Sequence, residues 1–415
     1  MSDSPQPPQD KAAPRVPLYA DIVVGLYFLS MPLQSLLVLQ SEDEVGYFTF
    51  SKLVGYLLLL VAILNKRLFF SRRPWASGPL LFYFAVVVIS GLQLTIGSVP
   101  WEQFLQLAGT MVQSIIVFHL LYSYFSFRSP RVFWWYAAGC GAVGAIEVLH
   151  ILPSYIQTDR NVMFGDDPNR VASSYALSVI MLIYLAILKW MPSKKYFMPS
   201  RLGRILAVIG IPIVLMSIVD SGSRGGMMAC LAGITALIML HRATKVPLVL
   251  KIALLIIVCA GIYRMVMSSE SLERWSDTIH FGDTAGRSGI YASAWGLIKE
   301  HPVFGCGIVQ NWYMLGEAVG FFSKGVMFRG THNQFLQVFS SLGLVGFIPY
   351  LLFLWRCLRP AKERFSRDGD ALALALFICL ATVCMSLDWD NQKQYWMILA
   401  FSASMEAPGG AMRTG

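Results

Sequence analysis

The sequence predicts an all-α polytopic membrane protein, and three observations carry that prediction. Hydrophobic residues fill 56% of the 415 positions and charged residues only 14%, against about 25% charged in soluble chains. Apolar runs of about twenty residues, the length that crosses about 30 Å of hydrocarbon, recur along the chain. Lys and Arg gather in alternate gaps between those runs, as cytoplasmic loops do under the positive-inside rule. The composition excludes a cytosolic enzyme, whose surface needs more charge to avoid large apolar patches, and a disordered scaffold alike. The formal charge of +9 reads as membrane topology and not as a nucleic-acid footprint, because it comes from short loop clusters.

Residues 1–16 are polar and Pro-rich and read as a disordered cytoplasmic tail, not a cleavable signal. About twelve spans follow, at 17–38, 48–64, 77–97, 103–123, 131–151, 171–190, 203–219, 223–241, 247–267, 332–355, 370–387 and 392–405. They divide the chain into transmembrane helices 1–9 over 17–267, a loop domain with short helices over 268–331, helices 10–12 over 332–405, and a second cytoplasmic tail over 406–415. Basic clusters such as Lys66, Arg67, Arg72 and Arg73, or Arg356, Arg359, Lys362, Arg364 and Arg367, place their connections and both termini in the cytoplasm. The alternate connections, including DSGSRGG at 220–226, the long loop and DWDNQK at 388–393, face outside. Five arginines, Arg160, Arg170, Arg224, Arg287 and Arg329, sit there against the topological bias, so something other than topology keeps them.

In DSGSRGG, Arg224 lies at the expected start of a helix, where free N–H groups and the positive dipole end favour an anion. Arg224 fits either a bidentate phosphate clamp or an interfacial Arg whose head simply reaches water. In GRSGIYASAWGLIKEHPVFGCG, residues 286–307, the apolar positions from Ile290 to Ile298 recur at helical spacing. They predict a short helix on the outer face, with Arg287 just before its first turn and either binding an anion or solvated. In THNQFLQVFSSLGLVG, residues 331–346, Thr331 is the expected N-cap and Gly343 and Gly346 read as close-packing positions. His332 stands at the helix start beside polar Asn333 and Gln334, surroundings that none of the other five histidines shares.

Seven cysteines show no CxxC pairing, and HExxH and Walker patterns are absent, so no disulfide, metal or nucleotide cofactor is expected. Asp388 with Asp390, and Asp166 with Asp167, fit either a cation-holding acidic pair or ordinary solvated loop residues.

Taken in order, SRGG at 223–226, RSGIYASAW followed by HPVFGCG, and HN followed by GLVG resemble the O-antigen ligase and polymerase superfamily, over roughly residues 200–350. The resemblance implies a GT-C-like membrane glycosyltransferase of the bacterial inner membrane, acting on its periplasmic face. The implied donor is O-antigen on undecaprenyl pyrophosphate and the implied ligase acceptor is lipid A-core oligosaccharide. It marks His332 as the catalytic residue and Arg224 and Arg287 as recurrent outer arginines, with Ser223, Asn333 and Arg329 beside them as further substrate-binding candidates. A single long loop departs from the polymerases, which often show two, so ligase is the first expectation. A polymerase or a protein-directed transferase of the same superfamily is the alternative. On chemical grounds the arginines should carry the leaving pyrophosphate and His332 should take the acceptor proton, without a metal. A transporter or flippase is the alternative of another class. The spans are mostly clean, with Asp21, Lys52 and Glu147 lying fairly near their ends, whereas transporters place charge or broken helices at the bilayer midplane.

Overall fold

The computed structural model describes residues 17–33, 49–70, 73–92, 101–127, 132–149, 155–157, 160–162, 167–188, 200–242, 247–267, 272, 276, 286–320, 322–323, 326–327, 329–388 and 390–405. Asp166 and most of 268–285 lie outside them. The described helices are α1 (Leu18–Ser30), α2 (Phe50–Leu64), α3 (Lys66–Phe69), α4 (Ser77–Leu92), α5 (Trp101–Phe125), α6 (Phe133–Val148), α7 (Pro168–Ile183), α8 (Ser200–Asp220), α9 (Arg224–Leu240), α10 (Leu248–Met267), α11 (Arg287–Glu300), α12 (Gln310–Ala318), α13 (Gln334–Asp368), α14 (Leu372–Cys384) and α15 (Lys393–Ala403). Two small antiparallel ribbons, 155–157 with 160–162 and 322–323 with 326–327, interrupt the helical pattern.

A helix falls within each apolar stretch expected from the sequence. Five, namely α5, α7, α8, α10 and α13, are long and apolar enough to cross a membrane, and α1, α2, α4, α9 and α14 are shorter apolar helices. The chain is therefore a helical, multi-pass membrane protein.

Burial sorts the helices. Helix α7 is enclosed on nearly every side, and its small residues let neighbours close in. Gly226 of α9 faces Ala172, and Gly233 faces Ile180. Helix α10 buries only Ile262 and presents Val249, Ile256 and Ile257 outward, as a lipid-facing helix does. Between α1, α5, α6 and α15 an aromatic knot of Phe28, Phe125, Phe133 and Phe401 packs edge to face.

Helix α13 holds the clearest departure from expectation. Gly343 adopts φ 58° and ψ −162°, which breaks the helix about 14 Å from its start. A packing role was the expected one for Gly343; it is instead a conformational break. Such a break frees backbone groups that must be satisfied where water is scarce, and the segment 302–307 supplies the partners. Leu344 N–H donates to Pro302 O at 2.9 Å and Val345 N–H to Val303 O at 3.1 Å. In return Cys306 and Gly307 donate to the carbonyls of Ser340 and Ser341 at 3.1 and 2.9 Å. Gly305, at φ 69°, leaves no room for a Cβ against Ser341, and Gly343 none against Val303. Ile308 N–H donates to Ser90 of α4 at 3.0 Å, so the end of HPVFGCG is packed against the bundle while residues 301–304 stay exposed.

At the opposite end of α13, Tyr184 donates to Asp370 at 2.9 Å, and Arg364 reaches the same carboxylate at 3.6 Å. This closes α13 and α14 against the end of α7.

Gly343→Ala should lower stability by about 2 kcal/mol or more, because it combines a left-handed φ with a Cβ 2.3 Å from the Val303 backbone. Gly141→Ala, where an added Cβ meets nothing within 4 Å, should be neutral or gain up to about 1 kcal/mol. Thermal unfolding in detergent separates the two.

Candidate functional site

The site forms at one end of the bundle, where the N-termini of α7, α9 and α13 meet the turn between α14 and α15. Each approach is set by a local rule. Asp167 caps α7, accepting from Asn169 N–H at 2.7 Å and Arg170 N–H at 3.2 Å, with Pro168 in the first turn. Ser223 caps α9, accepting from Gly226 N–H at 3.1 Å, and donates its hydroxyl to Asn169 of α7 at 3.0 Å. Its side chain is thus engaged within the fold, and Arg224 follows as the first residue of α9, half-buried. Gly225 lies against Ser386, where a Cβ would come within 2.5 Å of the hydroxyl. The SRGG motif is thereby seated on both α7 and the α14–α15 turn.

The cap of α13 is Asn333, not Thr331 as the sequence suggests. Asn333 Oδ1 accepts from the N–H groups of Phe335 and Leu336 at 3.0 and 3.1 Å, and the helix starts at Gln334. His332 stands two residues outside the helix at φ 52°, the one non-glycine residue with positive φ among the described residues. That conformation costs an ordinary side chain about 1–2 kcal/mol, so something must hold it.

Asp388 does so. Its carboxylate accepts from His332 N–H at 3.1 Å and Asn333 N–H at 3.1 Å, and the Thr331 hydroxyl lies 2.9 Å away. Gly330 leaves room for it, since a Cβ there would approach the carboxylate to 2.5 Å. A second tie runs from Asp390, whose N–H donates to Gln334 at 3.2 Å. Of the two readings open for DWDN, Asp388 takes neither: it is a half-buried bracket on the His332 backbone. Among the described residues no three His, Cys, Asp or Glu side chains gather as a metal cage.

Arg287 is the first residue of α11, preceded by Gly286 at φ 74°. One turn on, the Tyr291 hydroxyl reaches the His332 carbonyl at 3.4 Å and the Met385 carbonyl at 3.3 Å, docking α11 onto the site. Arg329 is tied to α12 through its N–H, which donates to Trp312 O at 2.9 Å.

Electrostatics follow from this crowding. Burial first, then the charges of Arg329 and Arg287, push the His332 imidazole down to about 4, so the ring is neutral at pH 7. Burial pushes the Asp388 carboxyl up to about 6, opposed by its hydrogen bonds from Thr331, His332 and Asn333. Arg329 is lowered by burial and by its neighbour Arg287. Asp167 favours the charged form of His332 and Arg170 opposes it. His332, Arg287, Arg329, Arg170 and Asp167 therefore share one electrostatic environment. The backbone on either side of Arg224 approaches the same corner through the Ser223–Asn169 and Gly225–Ser386 contacts, but Arg224 is not among the charges that act on His332. The side chain of Arg160 lies outside the described set.

Sequence reasoning missed Asp388 and Tyr291 as parts of the site. Tyr291 had a signal, its place one helical turn after Arg287. Asp388 had only the DWD pattern, which says nothing of a partner 56 residues earlier.

No curated protein matches the chain. Residues 209–351 match the family model described as O-Antigen ligase. That stretch contains Ser223, Arg224, Arg287, Arg329, His332 and Asn333, and stops before Asp388. The domain at residues 209–351 is thus similar to an O-antigen ligase-type family, within a chain that has five described helices long and apolar enough to cross a membrane.

Proposed function

We propose that the protein is an O-antigen ligase. It moves O-antigen polysaccharide from undecaprenyl pyrophosphate to lipid A-core oligosaccharide, on the periplasmic face of an inner membrane that the chain crosses about twelve times. The observation that supports this most is the strained, bracketed His332 in a corner with several arginines, inside the family-matched stretch.

The chemistry is a single displacement. The acceptor hydroxyl oxygen attacks the anomeric carbon, the bond from that carbon to the pyrophosphate oxygen breaks, and configuration inverts. The hydroxyl proton passes to the His332 imidazole, while the leaving group departs with its electron pair as undecaprenyl pyrophosphate. Arg224, Arg287 and Arg329 neutralise the charge that develops on it, so neither an acid nor a metal is needed. Ser223 and Asn333 shape the backbone on which the donor lies.

A group titrating near 4 is always free at neutral pH but is a weak base. An anionic donor beside Arg287 and Arg329 offsets the charges that disfavour imidazolium, so the base strengthens once the donor is in place.

The break at Gly343 is the feature that favours a transporter, because broken helices build ion sites there. Here the carbonyls of Ser340 and Ser341 and the N–H groups of Leu344 and Val345 are bonded to 302–307, so main chain bridges the break.

The deciding experiment joins purified protein, lipid-linked O-antigen and core acceptor in detergent, without a membrane gradient and with EDTA. Product means a metal-free transferase; its absence with active controls overturns the reading. In a deletion strain, bare core with polymer stranded on its carrier indicates ligase, and core bearing one repeat unit indicates polymerase.

His332→Ala should reduce transfer about 10²- to 10⁴-fold with the protein still folded. Arg224→Ala and Arg287→Ala should each weaken donor use about ten- to a hundred-fold, with Lys restoring only part. Unchanged rates in all three would remove the mechanism.

kcat/KM should fall as pH drops through about 6, where Asp388 protonates and accepts more weakly from the His332 loop, and again towards 4 as His332 of the free enzyme protonates. Asp388→Asn should lower the maximum about tenfold or more through misplacement and abolish the limb near 6. An acid limb identical to wild type in that variant argues against the bracket.

A further inference from the structure

Helix α13 changes character at its break, Gly343. Residues 331–343 are all buried or half-buried, and the first exposed position is Leu344. From there exposed apolar side chains recur at helical spacing, at Leu344, Ile348, Leu352 and Trp355, as on a lipid-facing helix. A span of about twenty residues, counted back from the basic end of this apolar run at Arg359 and Lys362, puts the edge of the hydrocarbon near 339–342, just before the same break. The turn after α11 comes to that level. Pro302 and Val303 accept from the N–H groups of Leu344 and Val345 at 2.9 and 3.1 Å, which sets the turn beside the start of the lipid-facing stripe. Val303 is 46% and Phe304 66% exposed, so their apolar area faces out of the bundle. Immediately before them Lys299, Glu300 and His301 are exposed, and Trp295, one turn further back, is exposed too. An apolar tip, a charged collar and a Trp follow the order in which a bilayer presents hydrocarbon and headgroups.

We propose that the turn 301–304 dips into the leaflet on the site's side, with Val303 and Phe304 among acyl chains and Lys299 and His301 at the headgroups, so that phospholipid is the partner of this surface. The main-chain bonds to α13 favour lipid as the occupant, because Val303 and Phe304 extend a surface that Leu344 and Ile348 already present to the membrane. The stretch that reads from the sequence as an outer loop is thus re-entrant. Helix α11, 14 residues or about 21 Å long, runs from Arg287 beside His332 to this tip, so the leaflet holds one end of the helix whose other end carries Arg287. None of this depends on the transferase reading.

The test uses the purified full chain in liposomes of phosphatidylethanolamine and phosphatidylglycerol. It reads the rate at which a membrane-impermeant maleimide labels introduced cysteines, with wild-type labelling subtracted. Phe304→Cys should react about tenfold or more slower than Ala292→Cys, at an exposed position of α11, because only a thiolate in contact with water reacts. It should be as slow as Ile348→Cys on the lipid-facing stripe, and all three should react alike once unfolded in SDS. Val303→Cys gives the same reading if Phe304→Cys fails to fold. Protection that persists as the protein is diluted with lipid identifies the leaflet as the cover. Protection lost on dilution means that a second copy covers the tip, and a rate equal to that of Ala292→Cys means water; either overturns the proposal. Neither donor nor acceptor enters the measurement, so its outcome stays separate from any failure of the transferase reading.

Discussion

One carboxylate carries the geometry of this site. Asp388 accepts from two consecutive backbone N–H groups and lies within bonding distance of a hydroxyl, all in the three residues 331–333. It thereby fixes the only non-glycine left-handed residue among those described. Strain of about 1–3 kcal/mol persists only where surroundings over-determine it, and a half-buried ion with three donors is such a surrounding. The same turn also packs Ser386 against Gly225. Pulling the α14–α15 turn away would therefore release His332 and the SRGG motif together.

The seam at Gly343 does for helices what Asp388 does for side chains. Helix α11 carries Arg287, and the chain leaving α11 passes through 302–307, which exchanges four backbone hydrogen bonds with the break in α13. Helix α13 carries Asn333 and is preceded by His332. Arg287 and His332, 45 positions apart in sequence, are therefore mounted on two helices joined by main-chain bonds, which no side-chain repacking loosens. Glycine is needed at both 305 and 343 because two backbones meet there at a distance that leaves no space for a Cβ.

How much of this was legible in the sequence depended on the length scale of the signal. Helices were legible because apolar runs set their own period and length. Local motifs were legible as places: SRGG, RSG and HN each fall at or just before the start of a helix. Cap identity was not. Thr331 and Asn333 are both good caps, and the choice between them followed from Asp388 drawing Thr331 into a different bond. The role of Gly343 was hidden for a related reason. A glycine within an apolar helix reads as a packing position, and only the segment from 302 to 307, folded back across the bundle, makes a break affordable at that depth. Asp388 was hidden most completely, because an acidic residue in a short loop looks solvated until its partners are known.

The arrangement also bears on the order of events in the proposed reaction. Burial first, and then the charges of Arg329 and Arg287, hold the imidazole of His332 neutral but weak. A stronger base at rest would need those charges removed, and the donor would then lose the cations that bind it and neutralise its leaving group. Placing both demands on one cluster resolves the conflict in time. On the proposed reading, the site without donor is a poor base toward water or an acceptor hydroxyl, whereas bound pyrophosphate would offset the arginine charges and leave only the effect of burial. In the proposed reaction the donor is thus required twice, as the source of the glycan and as the charge that readies the base, and an acceptor arriving first would find a poor proton acceptor.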